Sequence, residues 1–183
     1  MRRTQAAAAA CASGACTRVA RRRTTARPPS AGLHATPLNV QRSSGAPVGV
    51  VVADLDHFKA VNDRFGHAEG DAVLKDVAYA LRKALRAFDL VYRIGGEEFL
   101  VLLPGADTTA TTDIAEGLRA AVCERPLGNG QNITVSLGIA ASSDGNWDYE
   151  ELFRQADEAL YRAKAAGRNC VCGDSAAPVS AGA

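Results

Sequence analysis

The sequence predicts an α+β fold, an α/β sandwich whose mostly antiparallel, ferredoxin-type central sheet is flanked by helices. Three observations carry this expectation. Val48-Gly49-Val50-Val51-Val52-Ala53 is a continuous apolar, β-branched run, as expected of a strand buried on both faces. From Tyr92 to Leu103, Gly95-Gly96-Glu97-Glu98 sits between apolar runs with no spacer, the pattern of strand, tight turn and second strand. Three further stretches space apolar residues by three and four, as amphipathic helices do. The resulting order is strand, two helices, hairpin, helix, strand, helix and a short last strand.

Taken in order, the elements follow from local chemistry. The first strand ends in Asp54-Leu55-Asp56, and His57 to His67 reads as a short helix closed by Gly66. Glu69-Gly70-Asp71 opens a long helix with Asp71 as its N-cap and Leu74, Val77, Ala78, Leu81, Ala84 and Leu85 on its inner face. Arg86-Ala87-Phe88-Asp89 ends it, and Arg86 with Asp89 reads first as a solvated charge pair. The glycines of the hairpin supply positive φ at no steric cost. Asp107 caps a helix with Ile114, Leu118, Ala121 and Val122 inward. Asn132 to Ile139 is a largely alternating strand, and Ser142 to Asn146 a loop. Tyr149 to Ala166 buries Leu152, Phe153, Ala156, Leu160 and Ala163, with Gly167 suited to the left-handed position after the helix. Lys164 and Arg168 complement that helix's dipole, and Cys170-Val171 starts the final strand.

Composition bounds the rest. The 183 residues are 47% hydrophobic and 22% charged, ordinary for one globular domain. The net charge of +1 hides an asymmetry: residues 1–53 hold eight arginines and no lysine or acid, which leaves 13 basic against 20 acidic residues beyond them. Residues 1–47 accordingly read as a disordered, basic, Ala/Arg-rich leader with little apolar area to offset ordering entropy. A translation start placed too far upstream would look the same; an export signal is weaker, since alanine makes a poor hydrophobic region, and a nucleic-acid arm rests on charge alone. Nucleic acid is not an expected partner. Residues 174–183 read as a flexible tail. No apolar run approaches the roughly 20 residues that span a bilayer, so a cytoplasmic protein is expected. The five cysteines form no C-x-x-C pair, which supports neither a zinc site nor a disulfide framework and leaves reduced thiols as the expectation.

Chemistry gathers at strand ends. Carboxylates closing a buried strand commonly hold a divalent cation, because the strand fixes them while the loop admits substrate. Asp54 and Asp56 fit that reading, and the alternative is that Asp56 caps the following helix. The two acids Glu97 and Glu98 after Gly95-Gly96 are either an exposed acidic turn or part of a site. If the first strand and the hairpin are neighbours at the sheet centre, Asp54 and Glu97 meet. With a helix N-terminus and the cations Lys59, Lys164 and Arg168, they would make a metal–nucleotide site.

Four spaced motifs carry a resemblance. Asp54-Leu55-Asp56-His57-Phe58-Lys59-x-x-Asn62-Asp63, Gly66-His67-x-x-Gly70-Asp71, Gly95-Gly96-Glu97-Glu98-Phe99 and Lys164-x-x-Gly167-Arg168-Asn169 resemble the GGDEF family of diguanylate cyclases, over about Val48 to Val171. The resemblance implies a palm-like sheet, as in nucleotidyl cyclases and polymerases, and condensation of two GTP into cyclic di-GMP plus two pyrophosphates. It also implies that Asp54, Glu97, Glu98 and the carbonyl of Leu55 bind Mg2+ or Mn2+. By the same resemblance Asn62 and Asp71 read guanine, and the amides of His57 and Phe58 with Lys59, Lys164 and Arg168 hold the phosphates. Glu98 assists deprotonation of the 3′-hydroxyl or holds a second metal, and Gly95 and Gly96 pack against the nucleotide. The catalytic set is thus Glu98, Glu97 and Lys59. An antiparallel homodimer is required to bring two GTP together. Arg86-x-x-Asp89 matches the family's inhibitory product site.

Residues 48–173 are therefore expected to be the catalytic domain. Its N-terminal segment is shortened, since the family's D-x-L-T-G-L-x-N-R stretch is represented only by the remnant Ala31 to Asn39. Loss of the helix that follows that stretch keeps a second reading open, in which the module binds GTP or cyclic di-GMP and signals by contact without turnover.

Overall fold

Eight consecutive buried residues place β1 (Val48–Leu55) at the middle of the protein. The computed structural model describes residues 45–124, 132–144 and 146–173. The leader expected over residues 1–47, apart from its last three positions, and the tail expected over 174–183 lie outside that range. After β1 come α1 (Phe58–Phe65), α2 (His67–Ala84), β2 (Leu90–Arg93), β3 (Glu98–Pro104), α3 (Thr108–Cys123), β4 (Val135–Ala141), α4 (Tyr149–Ala165) and β5 (Val171–Gly173). The sheet order is β2-β3-β1-β4-β5. Three of its four pairings are antiparallel, and β5 joins β4 in parallel. This is the ferredoxin-type sandwich expected.

Alternation along β1 sorts the core into two layers, because successive side chains leave opposite faces of a strand. Val48, Val50 and Val52 pack with Leu100, Leu102, Phe153 and Leu160 beneath α4. Val51, Ala53 and Leu55 face the opposite layer, with Phe99, Val77, Leu81 and Leu118. A continuous apolar β1 is thus the signature of helices on both faces. Gly138 lets α4 lie directly on β4: a Cβ there would strike the carbonyl of Ala156 and the backbone N of Leu160, and would come within 2.7 Å of Leu160 Cα. That close approach brings the last turn of α4 down to the end of β1.

Local structure departs from expectation at several points. Helix α2 begins at His67, with Gly66 as N-cap at φ 85°, so Asp71 stands inside the helix and does not cap it. Glycine takes that φ without strain, so one residue closes α1, through its N–H on the Asn62 carbonyl, and opens α2. Ala84 is exposed, because the helix ends there and Leu85 turns into extended backbone. Strand β4 starts at Val135 and is buried on both faces rather than alternating. Asp56 does not cap α1; the cap position is His57, in the left-handed region at φ 59° with no side-chain cap bond. Asp107 does cap α3, accepting from the Ala110 N–H at 2.8 Å. Gly167, at φ 113°, takes the position assigned to it. Cys123 and Cys170 are free, whereas Cys172 is disulfide-bonded, which departs from the expected reduced thiols. Among the described residues no helix is long and apolar enough to cross a membrane.

Candidate active site

The carboxylates converge because of strand register. Asp54, near the end of β1, pairs with Glu98 on β3 and with Ser136 on β4. Directly paired residues share a face, so Asp54 and Glu98 lie on the layer that α4 covers. The Leu55 N–H donates to the Glu97 carbonyl at 3.2 Å, which draws the β2–β3 turn against the end of β1. Within that turn the Ile94 N–H donates to the Glu98 carbonyl at 3.0 Å. The Arg93 guanidinium straps it from outside, donating to the Gly96 carbonyl at 2.8 Å and the Gly95 carbonyl at 3.2 Å.

The glycines serve this turn by size and not by positive φ, since neither Gly95 nor Gly96 adopts it. A Cβ on Gly95 would fall 2.6 Å from Oε2 of Glu98, so the bare backbone leaves room for that carboxylate. A Cβ on Gly96 would meet nothing within 4 Å, which leaves an open surface beside the acids.

Burial and mutual repulsion set the electrostatics. Asp54 is 5% exposed, and Lys164 in the last turn of α4 reaches it with Nζ 2.7 Å from Oδ2. Burial raises the Asp54 carboxyl above its ordinary range, Lys164 opposes that rise, and Asp56 adds to it. Glu97 is raised by burial and then by Asp54. Glu98 is raised by burial and by Asp54, with Lys164 opposing and Asp157 adding to the rise. Two neighbouring acids that each feel a buried Asp54 as repulsion are a donor set that a cation would relieve. Among the described residues no three His, Cys, Asp or Glu side chains are assembled as a ready metal cage. Mg2+ does not need one, because it takes one or two carboxylates, keeps waters and completes its shell with substrate phosphates. Asp54, Glu97 and Glu98, with the Leu55 carbonyl, fit such an ion.

The other expected site residues fall into three groups. His57, Phe58 and Lys59 follow β1 directly, and Phe58 opens α1, where the first amides have no intrahelical acceptor. Phe58 is itself buried, while His57 and Lys59 are exposed. Asn62 lies against the backbone of Gly70, where a Cβ would collide with its Oδ1, and this sets Asn62 next to the first turns of α2, close to Asp71. Arg168, exposed at φ 64°, stands past the end of α4, and its charge bears on Asp54.

Arg86 and Asp89 are not brought to the carboxylates. They precede β2, whose Leu90 pairs with Leu102, four residues along β3 from Glu98 and therefore roughly 13 Å away. Nor are they a solvated ion pair: Asp89 is 1% exposed and accepts from the Arg86 backbone N–H at 2.9 Å, while the Arg86 guanidinium sits 5.9 Å over the Phe88 ring. Buried Asp89 thus shapes the loop, and the guanidinium remains at the surface.

Sequence reasoning missed three contributors. Asp157 lies two helical turns before Lys164 on α4, a seven-residue spacing that places both on one face and that the sequence displays. Arg93 and Arg82 could not be found that way, because both act on backbone carbonyls. The Arg82 guanidinium donates to the Asp89 carbonyl at 2.6 Å and also to the carbonyls of Leu85 and Arg86.

Fold and site together define a palm-type sandwich with acids and a lysine at the end of its central strand. The chain belongs to the GGDEF family: the model described as "Diguanylate cyclase, GGDEF domain" matches residues 33–170. Among curated relatives it is 49% identical over 128 residues to the diguanylate cyclase DgcP of Pseudomonas aeruginosa, covering 68% of this chain and 19% of that protein. It is 42% identical over 137 residues to the response regulator PleD of Caulobacter vibrioides, covering 72% of this chain and 30% of that protein. The chain therefore spans less than a third of the length of these relatives. Among solved structures, the active GGEEF domain of a diguanylate cyclase from Vibrio cholerae superposes with a TM-score of 0.69 at 31% identity, covering 76% of this chain and 89% of that one. The GGDEF domain of DgcB from Caulobacter crescentus, in complex with c-di-GMP, gives 0.68 at 31% identity, covering 74% and 82%.

Proposed function

We propose that this chain carries the catalytic module of a diguanylate cyclase, which joins two GTP into cyclic di-GMP and releases two pyrophosphates. The observation that supports this most is the meeting of Asp54, Glu97 and Glu98 at one strand end beside Lys164, in a chain of the GGDEF family. In the reaction each 3′-hydroxyl oxygen forms a bond to the α-phosphorus of the other GTP. The α–β anhydride bond breaks, and the hydroxyl proton leaves.

A bound Mg2+ or Mn2+, held by Asp54, Glu97, Glu98 and the Leu55 carbonyl, supplies charge neutralisation at the triphosphate. The chain's own residues do the remainder. Lys59, Lys164 and Arg168, with the amides of His57 and Phe58, hold the terminal phosphates. Lys164 is a third exposed and can exchange its contact with Asp54 for one with phosphate. Asn62 and Asp71 read the guanine edge, where an acceptor for the N1 and N2 hydrogens rejects adenine. Gly96 offers bare backbone to the nucleotide, and Gly95 makes room for Glu98, which takes or steers the 3′-hydroxyl proton. One module holds one GTP, so two modules face each other in an antiparallel homodimer, and the rate follows their positioning. The exposed Arg86 guanidinium, on the loop that buried Asp89 holds, makes a separate product site that slows turnover. Residues 48–173 are the catalytic unit, and the activity belongs in the cytoplasm.

Incubation of purified protein with GTP and Mg2+, followed by chromatography for cyclic di-GMP, tests this reading, with Glu98→Gln as the control. Product from the parent protein and a loss of at least about 100-fold in the variant is the expected result. A folded, dimerising sample that yields no product would sink it.

A further inference from the structure

We infer that Asp56 is a positioning residue that holds the Gly167–Asn169 turn, and through it Arg168, against the acidic strand end. Asp56 is 4% exposed, yet its partner is not a cation. Its Oδ1 accepts from Ser136 Oγ at 2.6 Å, and its Oδ2 accepts from Thr134 Oγ1 at 2.7 Å and from the Asn169 backbone N–H at 3.0 Å. Its own N–H donates to the Thr134 carbonyl at 2.8 Å. One carboxylate thus joins the end of β1, the start of β4 and the turn that follows α4.

That turn needs an anchor. Gly167, Arg168 and Asn169 have φ of 113°, 64° and 47°, three positive values in succession with glycine at only the first. Asparagine tolerates the left-handed region, whereas arginine is disfavoured there. Arg168 is secured on both sides. Its own N–H donates to the Ala163 carbonyl at 3.1 Å, closing α4, and the next N–H is the one that Asp56 accepts. The Asn169 side chain is fixed further by Arg119, whose Nη1 donates to its Oδ1 at 3.0 Å. The backbone on either side of Arg168 is held while its side chain stays exposed, the arrangement expected of a preorganised phosphate contact. Asp56 lies two residues after Asp54, so the strand that presents the acids also presents the hold on the cation.

The phosphate role of Arg168 rests on the function proposed above, so the test has one arm that does not. In limited trypsin digestion read by mass spectrometry, Asp56→Asn is expected to speed cleavage at the Arg168–Asn169 bond by about tenfold, the loss of one charge-assisted hydrogen bond. Other cuts should be unchanged. Ser136→Ala, which removes a donor from the other oxygen and leaves the Asn169 contact in place, should not change the rate at that bond. In the second arm, calorimetric titration with a non-hydrolysable GTP analogue should weaken about tenfold in Asp56→Asn. The double variant Asp56→Asn/Arg168→Ala should bind no worse than Arg168→Ala alone, because Asp56 acts through Arg168. Equal effects of Asp56→Asn and Ser136→Ala in the digestion would reduce Asp56 to a strand tie and overturn the inference, as would additive losses in the double variant. If the parent protein fails to bind the analogue, the GTP reading falls while the digestion still decides the positioning role.

Discussion

Replacing Lys164 by Met removes the positive partner of Asp54 while keeping most of the apolar stem. The N–O separation of 2.7 Å corresponds to a gross attraction of about 6 kcal/mol at an effective dielectric of about 20. Most of that is offset. The Lys164 side chain is 33% exposed, so water screens its end, while that of Asp54 is 7% exposed and stays desolvated without it. The net loss therefore falls between an exposed pair, worth below about 1 kcal/mol, and a broken buried pair, worth about 3–5 kcal/mol. We expect about 2 kcal/mol, or roughly 6 °C in Tm for a chain of this size. The sign with pH follows from Asp54. Burial raises its carboxyl in the folded state, so its contribution is fully present below the ordinary carboxylate pKa and is lost as pH rises through the raised value. Lys164 limits that loss, so the difference between parent and variant should grow with pH. Urea unfolding in EDTA at about pH 4 and about pH 8 measures it. The same difference at both pH values would refute the assignment of the pair as the counterweight to Asp54 burial. Mg2+ at pH 8 should narrow the gap, since the cation supplies the missing charge.

Three further outcomes follow from named contacts. Gly138→Ala should lower stability by about 3 kcal/mol, because the new Cβ meets the α4 backbone and not a movable side chain; a urea midpoint within error of the parent would contradict the close packing of α4 on β4. Gly95→Ala should leave stability within about 1 kcal/mol, since its φ is not positive, while turnover falls at least about tenfold as Glu98 is pushed aside; unchanged kcat would remove Glu98 from the chemistry. Arg86→Ala should raise the product concentration needed for half-inhibition at least about tenfold without changing initial rates; unchanged inhibition would mean that product binds elsewhere.

What could be read from residues alone was whatever depends on local pattern. Continuous apolar β-branching in Val48 to Ala53 required a strand covered on both faces, and helical spacing in Tyr149 to Ala166 named five of the six buried residues of that helix, missing Ala159. Four motifs in the right order carried the family before any fold was known. Local pattern misled where one residue could play two parts. Asp71 looked like a helix cap, but Gly66 with its positive φ opens α2 five residues earlier. Gly95 looked like a conformational requirement and turned out to be a steric one, imposed by Glu98.

Only the tertiary structure decided which acids stand together. Register puts Asp54 opposite Glu98, and a backbone hydrogen bond from Leu55 brings Glu97 beside them. Asp56, two residues from Asp54 and chemically the same, is committed instead to Thr134, Ser136 and Asn169. No spacing rule separates these two aspartates, because the partners that commit Asp56 lie 78, 80 and 113 positions away in the chain. Sequence by itself determined the sheet, its helices and the residue types gathered at the end of its central strand. Folding determined what each acid touches, and so which of them are left for chemistry.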